Sequence, residues 1–198
     1  RAGELDNAMR LHEEAERLAP DDPEILDALV DLHIRLRRYG DAARDLEKYL
    51  ERRPPEAQRI RGLFRLAEIF GDGMMDPARA VNSLREVLRL QPTHREAHYQ
   101  LAQELYLIGR HQEAQKTIEK LIDLAAQPGE TAPPEALARY YYYLGRVIEA
   151  QGNLQQAASR YRRAVELDPA YAPPALALAR KAADAGDRRS AESHLITA

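Results

Sequence analysis

The 198-residue chain carries 29 basic and 32 acidic side chains, a formal net charge of −3, and neither cysteine nor tryptophan. Near-balanced charge excludes a whole-chain electrostatic footprint for nucleic acid or an anionic membrane, and the lack of cysteine excludes disulfide frameworks, thiol catalysis and cysteine-based zinc sites. Ala, Leu, Arg and Glu dominate and β-branched residues are few, which is the usage of helices rather than sheets.

Taken in chain order, residues 1–20 hold a single helix, a half repeat anchored on Ala8 and closed by Pro20. A helix pair follows over 22–54, where Asp22-Pro23 sets a capping acid before a proline at the first helical position. Leu29-Val30 mark the packed face of its first helix and Ala42 that of its second. The pair at 57–92 carries Leu66-Ala67 and Ala80, with Asp76-Pro77 opening its second helix. The extra residues of the Ala42 to Ala80 interval fall near Pro54-Pro55-Glu56 and in Gly71-Asp72-Gly73-Met74-Met75-Asp76, the latter reading as an irregular turn. The pair at 93–128 opens on Thr93, three residues before Glu96 as in a capping box, and carries Leu101-Ala102, Gly109 and Ala114. A breaker-rich connection around 126–134 leads to the pair at 133–169, with Leu144-Gly145, Gly152, a second capping box at Asn153 and Gln156, and Ala157. The last pair, 170–198, has Leu178-Ala179, Gly186 and Ala191.

The anchoring alanines 8, 42, 80, 114, 157 and 191 are spaced by 34, 38, 34, 43 and 34 residues. Three of these intervals equal the period of one helical repeat. Within 154–165, Leu154, Ala157, Ala158, Tyr161, Ala164 and Val165 recur at steps of three and four, forming one helical stripe that must be buried against neighbours. Gly109, Gly152 and Gly186 each stand five residues before an anchor, where a helix ends in left-handed backbone, and Gly3 holds the same place. This order of Leu-Gly, Gly, Ala, Tyr, Ala and Pro resembles the tetratricopeptide repeat family, most clearly over Gly145–Pro169 and least around Ala80. The resemblance implies an all-α fold, a right-handed superhelical solenoid of antiparallel helix pairs. Both ends fall inside the repeat pattern, without a first helix at the start or a polar capping helix at Ala198, so we expect a fragment of a longer protein.

No catalytic constellation emerges. His94 and His98 stand four apart on one helix but lack a third ligand, and they read as solvated helix histidines; His33 occupies a packing position. Serines 83, 159, 190 and 193 lie in helical patterns without a nucleophile elbow, and Gly71-Asp72-Gly73 lacks the context of a phosphate cradle. We therefore expect no enzyme activity, no bound metal and no cofactor. Four tyrosines in a row, Tyr140 to Tyr143, cannot share one helical face, since each step turns about 100°. Tyr141 is assigned to its own helix pair, Tyr140 to the preceding one, and Tyr142 and Tyr143 to the groove or solvent.

In the resembled family the first helices line a concave groove. Carried over to this sequence, that implies Glu24, Asp27, Asp31, Arg61, Phe64, Arg65 and Glu68, then Tyr99, Gln100, Gln103 and Tyr106, then Arg139, Tyr142, Arg146 and Arg180. The partner-binding residues singled out are Arg61, Phe64, Arg65, Tyr99, Gln103, Tyr106, Arg139, Tyr142, Arg146 and Arg180. Charge is graded along the chain, with a net of −5 over residues 1–56 and +3 over 138–198. No Asn or Lys falls at the groove positions, which argues against the subclass that clamps a C-terminal carboxylate. The function expected is a non-catalytic protein-interaction scaffold holding a peptide, helix or small folded partner with an acidic or amphipathic segment. The alternatives are a self-associating structural array and the substrate-recruiting arm of a larger enzyme. No apolar run spans a membrane and residues 1–20 lack signal-peptide character, so a cytoplasmic location without nucleic-acid binding is expected.

Overall fold

The computed structural model describes residues 22–127 and 132–196, together with Arg10 and Glu14. Its helices are α1 (Pro23–Arg35), α2 (Tyr39–Glu51), α3 (Glu56–Glu68), α4 (Pro77–Leu90), α5 (Arg95–Leu107), α6 (His111–Ala125), α7 (Pro134–Ala150), α8 (Leu154–Leu167), α9 (Ala172–Asp184) and α10 (Arg188–Ile196). No strand occurs among the described residues. The half repeat expected over 1–20, apart from Arg10 and Glu14, and residues 128–131 of the expected irregular connection lie outside them.

Local sequence accounts for several helix ends. Asp22 Oδ1 accepts from the Glu24 amide at 2.9 Å, Asp76 Oδ1 from the Arg79 amide at 3.1 Å and Asn153 Oδ1 from the Gln156 amide at 3.2 Å, each satisfying a donor that the first turn leaves free. At α5 the expectation needs correction. His94, rather than Thr93, caps the helix, with Nδ1 accepting from the Ala97 amide at 3.2 Å. The helix starts one residue later than the capping-box spacing implied, and Thr93 is left exposed. At the other ends Gly109, Gly152 and Gly186 adopt φ of 76°, 85° and 78°, the left-handed backbone that glycine enters without penalty.

A second correction concerns Gly71-Asp72-Gly73. Rather than forming a turn, these residues complete a π-helical segment, Ile69–Gly73, that extends α3. The Met74 amide donates to the Ile69 carbonyl at 2.8 Å and the Asp76 amide to the Phe70 carbonyl at 2.7 Å, so the chain is wound wider than an α-helix before it breaks at Met74.

Most of the periodic residues form the core, but Leu154, expected on the buried stripe of 154–165, is 57 % exposed because it opens α8, at the end of the helix. Ala42, Ala80, Ala114 and Ala157 are completely buried, and the residues four on, Leu46, Leu84, Ile118 and Tyr161, are buried with them. Small residues at these places let helices approach closely while the larger partners fill the space beside them. Gly145 is the tightest instance: a Cβ there would lie 2.5 Å from a Tyr161 ring carbon.

The described residues fall into two compact units, up to Ala97 and from His98 onward, with the division inside α5. In the first, α1 packs on α2, α2 on α3, and α3 on α4. In the second, α6 packs on α7, α7 on α8, α8 on α9, and α9 on α10.

Candidate functional site

The tyrosine run of α7 organises the second unit. Tyr140, Tyr143, Leu144 and Val147 recur at steps of three and four and so share one stripe. That stripe meets α5: the Tyr99 ring lies 5.5 Å from Tyr140 and 5.8 Å from Tyr143, and the Tyr106 ring lies 5.9 Å from Tyr143, centroid to centroid. Tyr143 is consequently 5 % exposed and is a core residue, contrary to its assignment to groove or solvent. Its phase puts it on the side of Leu144, which no count along four identical residues reveals. Burial pushes its hydroxyl well above the usual tyrosine range, more strongly than the nearby Arg146 charge pulls it down. Tyr141 stays with its own pair, half-buried, with its hydroxyl toward the Arg163 guanidinium of α8.

Tyr142 turns the other way. Its ring centroid lies 5.7 Å from Tyr161 on α8 and 5.6 Å, edge on, from Tyr171 at the start of α9. With Tyr106, Arg146, Glu149, Leu176 and Arg180 it lines a cleft of about 590 Å³. Four of the sequence-derived positions, Tyr106, Tyr142, Arg146 and Arg180, thus meet in one cavity. Tyr99, packed on Tyr140 and Tyr143, is not part of its lining. Half-buried Gln103 and exposed Arg139, whose Nε donates to the Glu135 carbonyl at 3.3 Å, are not part of its lining.

Arg146 stands at the centre. Its guanidinium carbon lies 5.1 Å from the Tyr106 ring centroid and 5.7 Å from that of Tyr143. Burial works against its charge, but the hydrogen bond to Tyr106 and the surrounding Tyr106, Tyr142 and Tyr143 hold its pKa above the ordinary arginine value. Among the described residues no carboxylate forms an ion pair with it. Arg180 differs: it pairs with Glu149 at 3.3 Å, and Lys181 Nζ reaches the same Glu149 oxygen at 2.8 Å. The other Glu149 oxygen accepts from the Tyr161 hydroxyl. Burial opposes ionisation of Glu149, yet the Lys181 and Tyr161 hydrogen bonds and the Lys181 and Arg180 charges outweigh it, holding the carboxyl below the usual range. Sequence reasoning missed Glu149, Tyr161 and Leu176. The helical steps from Arg146 to Glu149 and from Leu176 to Arg180 were the available signal.

The three candidates in the first unit, Arg61, Phe64 and Arg65, are not among the residues that line this cleft. Arg65 is bound by Asp27, at 3.3 Å, and by Asp31, two residues of the same groove set. Phe64 stacks on His94 with centroids 5.1 Å apart, and Arg61 is exposed on α3. His94 is therefore a half-buried cap and His98, at 8 % exposure, a buried residue, which corrects their reading as solvated histidines. Both fall where α5 must be anchored, and an imidazole serves as acceptor or packing surface there. His33 is buried, with Nδ1 3.0 Å from Asp45 Oδ2. Among the described residues no group of three or more His, Asp or Glu converges as a metal site, and no helix is long and apolar enough to cross a membrane.

Three family models described as Tetratricopeptide repeat match residues 28–68, 74–142 and 138–171. No curated protein matches the sequence. Among solved structures, MamA from Desulfovibrio magneticus RS-1 is similar with a TM-score of 0.72 and 22 % identity, over 88 % of this chain and 91 % of that one. BtubC from P. vanneervenii gives 0.74 and 19 %, over 96 % and 86 %. YrrB, described as a TPR protein with an unusual peptide-binding site, gives 0.70 and 18 %, over 89 % and 84 %. At such identities the likeness shows a shared fold, a solenoid of helix pairs.

Proposed function

Because the chain belongs to the tetratricopeptide repeat family, we propose that it is a non-catalytic protein-interaction scaffold whose second unit receives a partner peptide, helix or small folded surface in the cleft around Arg146. The observation that carries this reading is Arg146 itself: a half-buried cation resting on tyrosine rings, with no carboxylate partner among the described residues, at the wall of an open cleft. A charge taken partly out of water is stabilised by a matching countercharge, so the partner offers a carboxylate there. Tyr142 and Leu176, the latter 49 % exposed, supply apolar contact area beside it, which fits an amphipathic acidic segment. Tyrosine and arginine are the residues most often found at the energetic centres of interfaces. YrrB, a protein of the same fold, is described as having a peptide-binding site, which is in keeping with a peptide as partner.

The test is calorimetric titration of a partner isolated by affinity capture. Arg146→Ala and Tyr142→Ala should each weaken binding by about 2 kcal/mol or more while thermal melts stay close to wild type. Unchanged affinity in both variants would show that the wrong surface has been chosen. Light scattering in which the mass rises with concentration in the absence of partner would favour self-association instead.

A further inference from the structure

The 38-residue interval between Ala42 and Ala80 is four residues longer than the repeat, and it contains the π-helical segment Ile69–Gly73 and the turn after it. Gly73, at the end of that segment, lies directly over the ring of Tyr39: a Cβ at 73 would stand 2.6 Å from ring carbon Cδ1. Beside this contact opens a cleft of about 450 Å³, walled by Ile34, Tyr39 and Ile69 and edged by Arg65, Glu68 and Asp72. Its volume is in the range of ligand-sized sites.

The balance of charge at this edge is negative. Arg65, the one cation in the lining, is already bound by Asp27 and Asp31. Asp72 is exposed and, among the described residues, has no ion pair. Glu68 adds a second carboxylate on the helical turn before it. The walls are apolar, which suits the methylene stem of a long basic side chain as well as an aliphatic neighbour. Met74 and Met75, 38 % and 78 % exposed, follow Gly73 in the chain and are side chains that adapt readily to a partner.

We propose that this cleft is a second docking site, for a partner segment in which a Lys or Arg stands next to an aliphatic side chain. The aliphatic group lies against Ile34, Ile69 and Tyr39, and the cation reaches Asp72. This preference is opposite in sign to that of the Arg146 cleft, and the two sites are testable separately.

The experiment is selection of a random-peptide phage library on the intact chain, followed by calorimetry of the enriched peptides with wild type, Asp72→Asn, Asp72→Lys and Arg146→Ala. Enriched sequences should pair Lys or Arg with Leu, Ile or Met. Their Kd should rise by about tenfold in Asp72→Asn, further in Asp72→Lys, and with added salt, while Arg146→Ala leaves it unchanged. Asp72 is exposed, so circular dichroism melts of its variants should match wild type. The proposal is overturned by failure to enrich basic amphipathic peptides, by binding indifferent to both Asp72 variants, or by binding that depends on Arg146 instead.

Discussion

Replacing Gly145 by alanine tests whether the α7–α8 contact is set by that glycine. The added Cβ would lie 2.5 Å and 2.6 Å from two ring carbons of Tyr161 and 3.2 Å from a third, where favourable contact needs about 3.5 to 4.0 Å. The Tyr161 ring is held in place by its surroundings. It is fully buried, packs on Tyr142, and is tied through its hydroxyl to Glu149. Overpacking of this kind costs about 1–3 kcal/mol, and two contacts this short belong at the upper end. Alanine in place of a helical glycine returns about 1 kcal/mol, so the net expectation is a loss of about 2 kcal/mol. In a Tyr161→Leu background the clash is gone and the same change should be stabilising by about 1 kcal/mol, giving a coupling of about 3 kcal/mol in the double-mutant cycle. Urea denaturation of the four proteins followed by circular dichroism measures all these quantities. A Gly145→Ala protein as stable as wild type, with Tyr161 present, would refute the close-contact account of this glycine.

Removing the caps by Asp76→Ala or Asn153→Ala should cost about 1 kcal/mol each, with faster hydrogen exchange at the Arg79 and Gln156 amides that they hold. Glu149 has its folded-state pKa depressed, so its contribution to stability is complete above an ordinary glutamate value of 4.5 and is lost as pH falls through the lower folded value. Glu149→Gln should therefore flatten the acid side of the pH–stability profile and leave its shape near neutrality unchanged. Tyr143 and Tyr161 have raised values, burial being the first cause in both, so the stability they contribute is complete below 10.0 and is lost as pH rises through their folded values. Alkaline absorbance titration should show Tyr143 and Tyr161 ionising only as helicity is lost, and ionisation of both near 10.0 with the helices intact would contradict this.

Much of the helix-pair framework was legible because its causes are local or periodic. A small residue is needed wherever two helices cross, so Ala42, Ala80, Ala114 and Ala157 recur, and a left-handed turn selects Gly109, Gly152 and Gly186. The features that escaped depend on partners distant in sequence. Gly71-Asp72-Gly73 has the composition of a turn, but the winding of that stretch is set against Tyr39, more than thirty residues earlier. The burial of Tyr143 depends on Tyr99 and Tyr106 of α5, and nothing within four consecutive tyrosines indicates which one meets that face. His94 looked like one of two solvated imidazoles because the Phe64 ring on which it stacks lies thirty residues away.

Charge shows the same division between what a count gives and what geometry decides. The gradient from −5 over residues 1–56 to +3 over 138–198 is a property of composition, and most of the side chains behind it lie on solvated helix faces where an ion pair contributes little. Five of the ten groove candidates are arginines, which composition makes equivalent. The structure separates them: Arg65 is bound by Asp27 and Asp31, Arg180 shares Glu149 with Lys181, and Arg146 rests on tyrosine rings and forms no ion pair among the described residues. A cation already holding its countercharge gains little from a partner's carboxylate, since a new ion pair replaces an old one. Arg146 alone among these three gains a full pairing in a site partly shielded from water, where a charged hydrogen bond is about twice as strong as a neutral one. By the same reasoning, with Arg65 already bound, the group with no ion pair at the first unit's cleft is Asp72. The sign each cleft presents to a partner is thus set less by the regional sum than by which single charge the fold leaves without a countercharge.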